Sequence, residues 1–159
     1  WGHSPEHMAL YSPNANVLIS GDMVLPKIST NVSVYAQEPE ANALALFMRS
    51  LKKFDVLPSD TLVLPSHGRP FKGLHTRTAQ LLQHHEERMQ EVLDACRETP
   101  GSAHDMLKVI FKRPLDFHQT TFAIGESVAH LHALWYEGKM KRLKDKDGVW
   151  RFQTLIQGN

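Results

Sequence analysis

Residues 18–26 read LISGDMVLP, a mostly apolar run interrupted by a glycine and a single carboxylate. Such a run, broken by glycine, predicts a strand that passes into a loop. Two other stretches have the same character: GHSPEHMALY at residues 2–11 and VLPSHGRPF at residues 63–71. Each places a potential metal ligand beside a glycine, where the backbone can turn sharply. The three side chains are His3, Asp22 and His67.

The composition is that of a globular protein. Of 159 residues, 42% are hydrophobic and 22% charged, and the net charge of +1 gives no overall attraction to nucleic acid or membranes. No apolar run approaches the roughly 20 residues that cross a bilayer, and no signal sequence is recognisable. The single cysteine, Cys96, fits a reducing compartment. We therefore expect a cytoplasmic protein without membrane association.

The first hundred residues alternate between strand and helix patterns. Residues 8–20 predict a β-hairpin around the turn residues PNAN, and the alternation in residues 31–36 predicts another strand. A helix is predicted over residues 38–54, with Pro39 in its first turn. A short strand before His67 and a long helix over 74–97 complete this part.

Pro100 and Gly101 interrupt the helical pattern, and we place a domain boundary at residues 98–102. Ser102 and Asp105 have the spacing of a capping box, which predicts a helix there. A second helix is predicted over about residues 119–137, followed by a hairpin with an Asp-Gly turn. Helix, helix and hairpin is the layout of a winged helix. The sequence thus predicts two domains, 1–99 and 100–159.

Spacing alone leaves the role of His3, Asp22 and His67 open. Imidazole and carboxylate groups are usual ligands of zinc and related ions. Yet two histidines and an aspartate spread over the first half of a chain are common by chance. A capping aspartate with two polar loop histidines is the alternative interpretation.

Taken in order, the three stretches resemble the motifs of the metallo-β-lactamase superfamily, in particular its glyoxalase II-like hydrolases. GHSPEHMALY resembles the family's Gly-His-Ser/Thr-x-x-His segment, with Glu6 where many members carry glycine. LISGDMVLP resembles its Gly-Asp segment at a strand end, and VLPSHGRPF its last metal histidine before a long helix. The resemblance covers residues 1–97. It implies an α+β fold: the C-terminal half of an αββα sandwich, followed by the small winged-helix domain of some members.

The resemblance also implies a ligand set. His3 would bind the first metal, Asp22 would bridge both metals, and His67 would bind the second. Zinc is the expected ion, with iron and manganese as alternatives, and two ions are expected per complete site. A water shared by two cations loses a proton near neutral pH and attacks the substrate. The expected activity is therefore hydrolysis of an ester, thioester or amide in a small-molecule substrate.

Three further residues are candidates for supporting these ligands or lining the substrate pocket: His7, Arg69 and His75. For His7 the family pattern favours packing over metal binding. His75, near the start of the long helix, and Arg69, in a basic loop, have ordinary solvated roles as their favoured alternative. We assign no catalytic role to these three residues.

The superfamily's His-x-His-x-Asp-His run is absent from the sequence, so four of its usual seven ligands are missing. HLH at residues 130–132 is followed by Ala133 and Leu134 and lies in a helical pattern. We interpret the chain as the C-terminal part of a longer hydrolase and expect it to be inactive alone. Because half a sandwich leaves a sheet face and an edge uncovered, we also expect self-association.

Two other functions stay open. Residues 139–151 contain six Lys or Arg against two Asp, so a β-lactamase-like endoribonuclease that cleaves RNA is the main alternative. A non-catalytic winged-helix binding module is the other. Alternating Lys and Asp residues also protect an exposed hairpin from edge pairing, and we favour a small-molecule substrate over nucleic acid.

Overall fold

The computed structural model describes residues 2–155, so residues 156–159 of the predicted C-terminal domain lie outside it. The strands are β1 (Leu10–Ser12), β2 (Val17–Gly21), β3 (Leu62–Pro65), β4 (Met140–Lys144) and β5 (Trp150–Thr154). The α-helices are α1 (Ala43–Leu51), α2 (Leu74–Ala95), α3 (Ala103–Ile110) and α4 (Phe117–Tyr136). This mixture confirms the predicted α+β class. None of the helices within residues 2–155 is long and apolar enough to span a bilayer.

The chain forms two compact units. One contains the residues up to Val32 together with Ala45–His85, and the other contains Ser33–Leu44 together with the residues from Glu86 onward. The division between them falls within α2. The domain boundary expected at residues 98–102 stays a prediction.

The first unit is built on the sheet β1-β2-β3, in which β1 is antiparallel and β3 parallel to β2. Leu18 of β2 and Val63 of β3 are neighbours on one face and are buried. On the other face Leu10 stands opposite Ile19, and these side chains are 58% and 49% exposed. A sheet with apolar residues on both faces is usually covered on both, so this outer face is an exposed apolar patch.

The predicted hairpin at residues 8–20, the strand before His67 and the long helix are confirmed. The strand predicted at residues 31–36 is wrong, because this segment pairs with no strand. Its alternation reflects packing instead: Val32 is fully buried, and the Val34 N–H donates to the carbonyl of Gly125. The predicted start of α1 at residue 38 is also wrong. Residues 38–40 form a bend and a turn, residues 41–42 are irregular, and the helix begins at Ala43.

The second unit confirms the order helix, helix, hairpin. Ser102 and Asp105 form the predicted capping box: the Asp105 N–H donates to Oγ of Ser102, and the Ser102 N–H donates to Oδ2 of Asp105. At the end of α4, Gly138 has a φ of +70° and the N–H of Lys139 donates to the carbonyl of Leu134, which is a Schellman motif. The assignment of this unit as a winged helix stays a prediction.

The hairpin of β4 and β5 differs from a tight Asp-Gly turn. Lys144 pairs with Trp150, so residues 145–149 form the loop. The carboxylate of Asp145 accepts the N–H groups of Asp147 and Val149 and closes it. The loop is therefore ordered by a side chain that the sequence pattern did not single out.

Arg142 of β4 is enclosed by other residues of the second unit. Its guanidinium lies 3.9 Å from the ring centroid of Trp135 and 4.4 Å from that of Trp150. Its Nη1 donates to both carboxylate oxygens of Glu40, at 3.1 and 2.8 Å. We call these four residues the Arg142 cluster. The predicted basic hairpin therefore uses one of its cations for packing.

Candidate metal centre

Three loops of the first unit bring His3, Asp22 and His67 together. Asp22 follows β2 and His67 follows β3, and the parallel pairing of these strands places their carboxyl ends side by side. Nε2 of His3 is 3.3 Å from Oδ2 of Asp22, and Nε2 of His67 is 3.5 Å from Oδ1. Each carboxylate oxygen of Asp22 therefore faces one imidazole nitrogen.

Hydrogen bonds to both the main chain and the side chain of Asp22 hold this residue in place. The hydroxyl of Thr30 donates to the Asp22 carbonyl, and the hydroxyl of Ser66 donates to Oδ1. The Ser66 hydrogen bond is the largest of the causes that lower the pKa of Asp22, and His3 and His67 lower it further, while partial burial opposes them. The group is therefore an anion at neutral pH, which is the form that ligates a cation.

The orientation of His3 is fixed by its other ring nitrogen. Nδ1 lies 2.8 Å from the carbonyl oxygen of Asn31, and a carbonyl can only accept. Nδ1 therefore carries the proton, and in neutral His3 the lone pair of Nε2 points toward the Asp22 carboxylate. Two electron-rich atoms in this position require a cation between them, either a proton or a metal ion. A histidine oriented by a carbonyl is the usual arrangement of a metal ligand.

The two His–Asp separations are similar to the distance between two ligand atoms that bind the same divalent metal ion. Two ligand atoms bound to one tetrahedral zinc at about 2.0–2.1 Å lie about 3.3–3.4 Å apart. The two separations in the site, 3.3 and 3.5 Å, are close to this value. Within residues 2–155 no three His, Cys, Asp or Glu side chains are grouped so that they could hold one ion. The site thus consists of two His–Asp contacts that share Asp22.

Two glycines allow the ligand loops to pack closely. Gly2 has a φ of +103°, and a Cβ on it would lie 2.4 Å from Cβ of Phe47 in α1. Gly21 has a φ of +54°, and its Cβ would lie 2.6 Å from Cε1 of His7. A larger residue at position 2 would clash with the backbone of Phe47 and displace the loop of His3, whereas at position 21 it would press against the ring of His7.

His7 lies behind the Asp22 loop and does not face the carboxylate. Its Nε2 is 3.1 Å from the carbonyl oxygen of Ser20, and its ring packs against Gly21. It also lines a cavity of about 360 Å³, together with Tyr11 and Lys53. These contacts support the backbone before Asp22, in keeping with the packing role favoured for this residue.

Arg69 and His75 are placed differently from each other. Arg69 lines a second cavity, of about 410 Å³, whose wall also includes His67. His75 lies in the first turn of α2, outside the residues that line this cavity, and its ring Nε2 is buried with no hydrogen-bond partner among the described residues. The structure therefore brings Arg69, but not His75, into the surroundings of His67.

Sequence reasoning missed the residues that hold the ligands. Ser66 could have been found, because it directly precedes His67 in the SHG motif. The carbonyl of Asn31 and the hydroxyl of Thr30 act from a segment that resembled a strand. A main-chain acceptor leaves no side-chain signal in a sequence.

The comparisons with known proteins concern the fold and the family of the chain. Residues 89–155 match the family described as metallo-beta-lactamase-like, C-terminal domain. A structure of a beta-lactamase domain protein from Burkholderia ambifaria superposes with a TM-score of 0.95 and 55% sequence identity, over 98% of this chain and 46% of that one. The chain therefore matches the C-terminal part of metallo-β-lactamase superfamily proteins, and the predicted α+β half-sandwich is confirmed.

Two further relatives are more distant. The metallo-beta-lactamase family protein TTHA1429 from Thermus thermophilus has a TM-score of 0.83 and 30% identity, over 97% of this chain and 47% of that one. A curated protein from Bacillus subtilis (strain 168), named "Probable metallo-hydrolase YqjP", is 24% identical over 97% of this chain. The chain spans 48% of the length of this curated relative.

Proposed function

We propose that this chain provides one half of the metal centre of a metal-dependent hydrolase. His3 and Asp22 are ligands of a first divalent ion, and Asp22 and His67 are ligands of a second. The observation that supports this most is the pair of contacts from the two oxygens of Asp22 to two imidazole nitrogens, at 3.3 and 3.5 Å. Zinc is the preferred ion, because imidazole and carboxylate ligands suit it.

The residues of this chain have separate tasks in such a hydrolase. Asp22 would be a ligand of both ions, and the hydroxyl groups of Ser66 and Thr30 hold Asp22 in place. His3 keeps its Nε2 aimed at the first ion because Nδ1 is bonded to Asn31. When bound, the divalent ions activate water and polarise the carbonyl of an ester, thioester or amide. The remaining ligands come from outside this sequence, so the chain alone is inactive.

Metal content tests the proposal directly. The chain is exposed to excess zinc and desalted, and the retained zinc is measured by mass spectrometry. Wild type should retain zinc and Asp22→Ala should not, because removal of Asp22 breaks both ligand pairs. Asp55→Ala removes an exposed carboxylate of the same unit and is the matched control. Equal retention by wild type and Asp22→Ala would overturn the ligand assignment.

Self-association of the isolated chain is a second proposal, supported by the exposed pair Leu10 and Ile19 on the outer face of the first sheet. Introducing a charge into this face should weaken association, because exposed apolar patches drive it. Light scattering on wild type and Ile19→Lys compares the two masses. A wild-type chain that is monomeric at all concentrations would contradict this proposal.

The RNA-directed alternative depends on the basic hairpin. Arg142 is engaged with Glu40 and two tryptophans, so reversing its charge would disturb folding as well as any RNA contact. A test that leaves the Arg142 cluster intact reverses the charges of the exposed Lys141 and Lys146 instead. Loss of RNA binding by this double variant would favour the alternative over hydrolysis of a small molecule.

A further inference from the structure

The cavity of about 360 Å³ that His7 lines is formed by two walls, both within the first unit. One wall consists of residues in and before β1 together with β2, and the other of the end of α1 and the 3₁₀ turn Lys52–Val56 that follows it. The volume lies within the range of small-molecule sites, about 300–1,000 Å³. His3, Asp22 and His67 are not among the residues that line it, so this cavity is separate from the candidate metal centre.

Hydrogen bonds fix both walls of this cavity. On the sheet side, Nε2 of His7 lies 3.1 Å from a main-chain carbonyl oxygen of β2, and the hydroxyl of Tyr11 donates to Oδ1 of Asn16 at 3.1 Å. On the helix side, the N–H of Leu57 donates to the carbonyl of Phe54 at 3.0 Å and closes the 3₁₀ turn. A cavity whose walls are fixed before a ligand arrives binds it at a lower cost in conformational entropy.

The lining of this cavity combines apolar side chains with one ammonium group. Leu18 and Met23 supply buried apolar surface, and Phe54 adds an aromatic ring. Lys53 is exposed, and it forms no ion pair with another residue of the described chain. The described residues that line the cavity include no Asp or Glu. The cavity therefore suits a molecule that has an apolar body and one negative charge.

We propose that this cavity is a separate binding site for a small carboxylic acid with an apolar body. The carboxylate lies beside Lys53, and the body lies against the apolar side chains of the lining. The ring of His7 lines the cavity and also packs against Gly21, so it separates this ligand from the loop of Asp22. The acid is therefore not the group that is hydrolysed, and its binding does not depend on the proposed metal centre.

The test uses 3-phenylpropionate and the uncharged 3-phenylpropanamide, which have the same apolar body. Each is titrated into the metal-free chain, and binding is followed by amide NMR shifts. 3-Phenylpropionate should shift residues 7–11 and 50–57 and should leave residues 67–71, which line the other cavity, unchanged. The uncharged probe should bind about threefold more weakly, which is the size expected for an ion pair with an exposed lysine. Added salt should reduce this difference, because it screens the exposed charge.

Four variants locate the site. Lys53→Gln should bind the two probes equally, whereas Lys52→Gln removes the exposed lysine next to it, outside the lining, and should behave as wild type. Ala9→Leu should block both probes because the larger side chain fills the cavity, and its amide spectrum shows whether the fold is kept. Asp22→Ala should bind both probes as wild type does, since Asp22 does not line the cavity.

Three results would overturn the proposal. An absence of shifts at residues 7–11 and 50–57, or full binding by a folded Ala9→Leu, would show that the cavity does not bind this class of ligand. The same effect of Lys53→Gln and Lys52→Gln would exclude Lys53 as the group that meets the carboxylate. Loss of binding in Asp22→Ala would place the acid at the candidate metal centre instead. Zinc retention is measured separately, so a failure of the metal centre is distinguished from a failure of the cavity.

Discussion

The site around Asp22 and the Arg142 cluster both join residues that are far apart in the sequence, but their charges are balanced differently. In the Arg142 cluster the guanidinium lies over two tryptophan rings, and Nη1 meets both oxygens of Glu40. Around Asp22 the carboxylate faces two imidazole nitrogens, and the His3 nitrogen carries a lone pair when the ring is neutral. The charges of the Arg142 cluster are matched within the protein, whereas we propose that those around Asp22 are balanced by bound metal ions.

This difference separates a structural cluster from the proposed metal site. A charge that is paired within the protein is not available to a ligand, and removing one partner of the pair is destabilising. An arrangement that is stable only with an added cation is a binding site. Variants of the Arg142 cluster should therefore change stability without changing metal binding, and variants around Asp22 should change metal binding most.

Among variants that keep all three proposed ligands, the largest effect is expected for Gly2→Ala. The added Cβ would lie 2.4 Å from Cβ of Phe47, so the loop must move and carry His3 away from Asp22. We expect zinc affinity to fall about tenfold or more. Gly73→Ala is the matched control, because Gly73 also has a positive φ, +93°, but open space around its Cβ. Zinc titration followed by mass spectrometry should separate the two variants, and equal zinc affinities would contradict the steric argument.

The second-largest effect is expected for Arg142→Ala. Removing the guanidinium ends two cation–π contacts and the pairing with Glu40, which should lower the free energy of unfolding by about 2 kcal/mol. Lys141→Ala, an exposed neighbour, should stay within about 0.5 kcal/mol of wild type. Urea unfolding measures both, and zinc retention should be unchanged in each. A loss of zinc in Arg142→Ala would mean that the two clusters are not independent.

The capping box of α3 should show a smaller, pH-dependent effect. Ser102→Ala should lower the free energy of unfolding by about 1 kcal/mol. The Ser102 N–H is the main cause that lowers the pKa of Asp105. The stabilisation by the Asp105 carboxylate is therefore fully present above its ordinary pKa near 4. It is lost as the pH falls through the lowered pKa that Asp105 has in the folded chain.

Asp105→Asn tests the direction of this pH dependence of stability. Between about pH 5 and about pH 2.5 the stability of wild type should fall more steeply than that of the variant. Thermal unfolding across this range gives both curves. Parallel curves would show that Asp105 does not contribute to the acid sensitivity of the chain.

The smallest effect is expected for Glu6→Gly. Glu6 has a φ of +55°, which costs about 1–2 kcal/mol for a residue with a Cβ, while glycine loses about 0.5–1 kcal/mol more backbone entropy on folding. The variant should gain about 0.5 kcal/mol in the free energy of unfolding. Asn16 has a similar φ of +50° but accepts hydrogen bonds from Tyr11 and Thr61, so Asn16→Gly should destabilise. Chemical denaturation distinguishes the two outcomes.

The positions of the three proposed ligands could be predicted because they follow from backbone patterns. Apolar runs that end in glycine predict strand ends, and adjacent parallel strands place such ends at one edge. The family resemblance supplied the order of the motifs. The glycine expected at the position of Glu6 also has a reason in the structure, since this residue has a left-handed backbone conformation.

The parts that could not be predicted depend on contacts between distant residues. The alternation of residues 31–36 is the same for a strand and for an extended segment with buried Val32. The Arg142 cluster joins Glu40, Trp135 and Trp150, and its arginine looked like part of an exposed basic hairpin. In both cases the local pattern fits two structures, and the partner that decides between them lies elsewhere in the chain.

The parallel pairing of β2 and β3 also determines when the site can form during folding. Asp22 and His67 become neighbours only after the segment between Gly21 and Leu62 has closed the crossover through α1. Closing such a loop costs chain entropy before any contact is gained, so non-local pairing of this kind is slow. The two histidines and the aspartate are therefore separate groups in the unfolded chain. Zinc should bind after the sheet has formed, and it should slow unfolding more than it speeds folding.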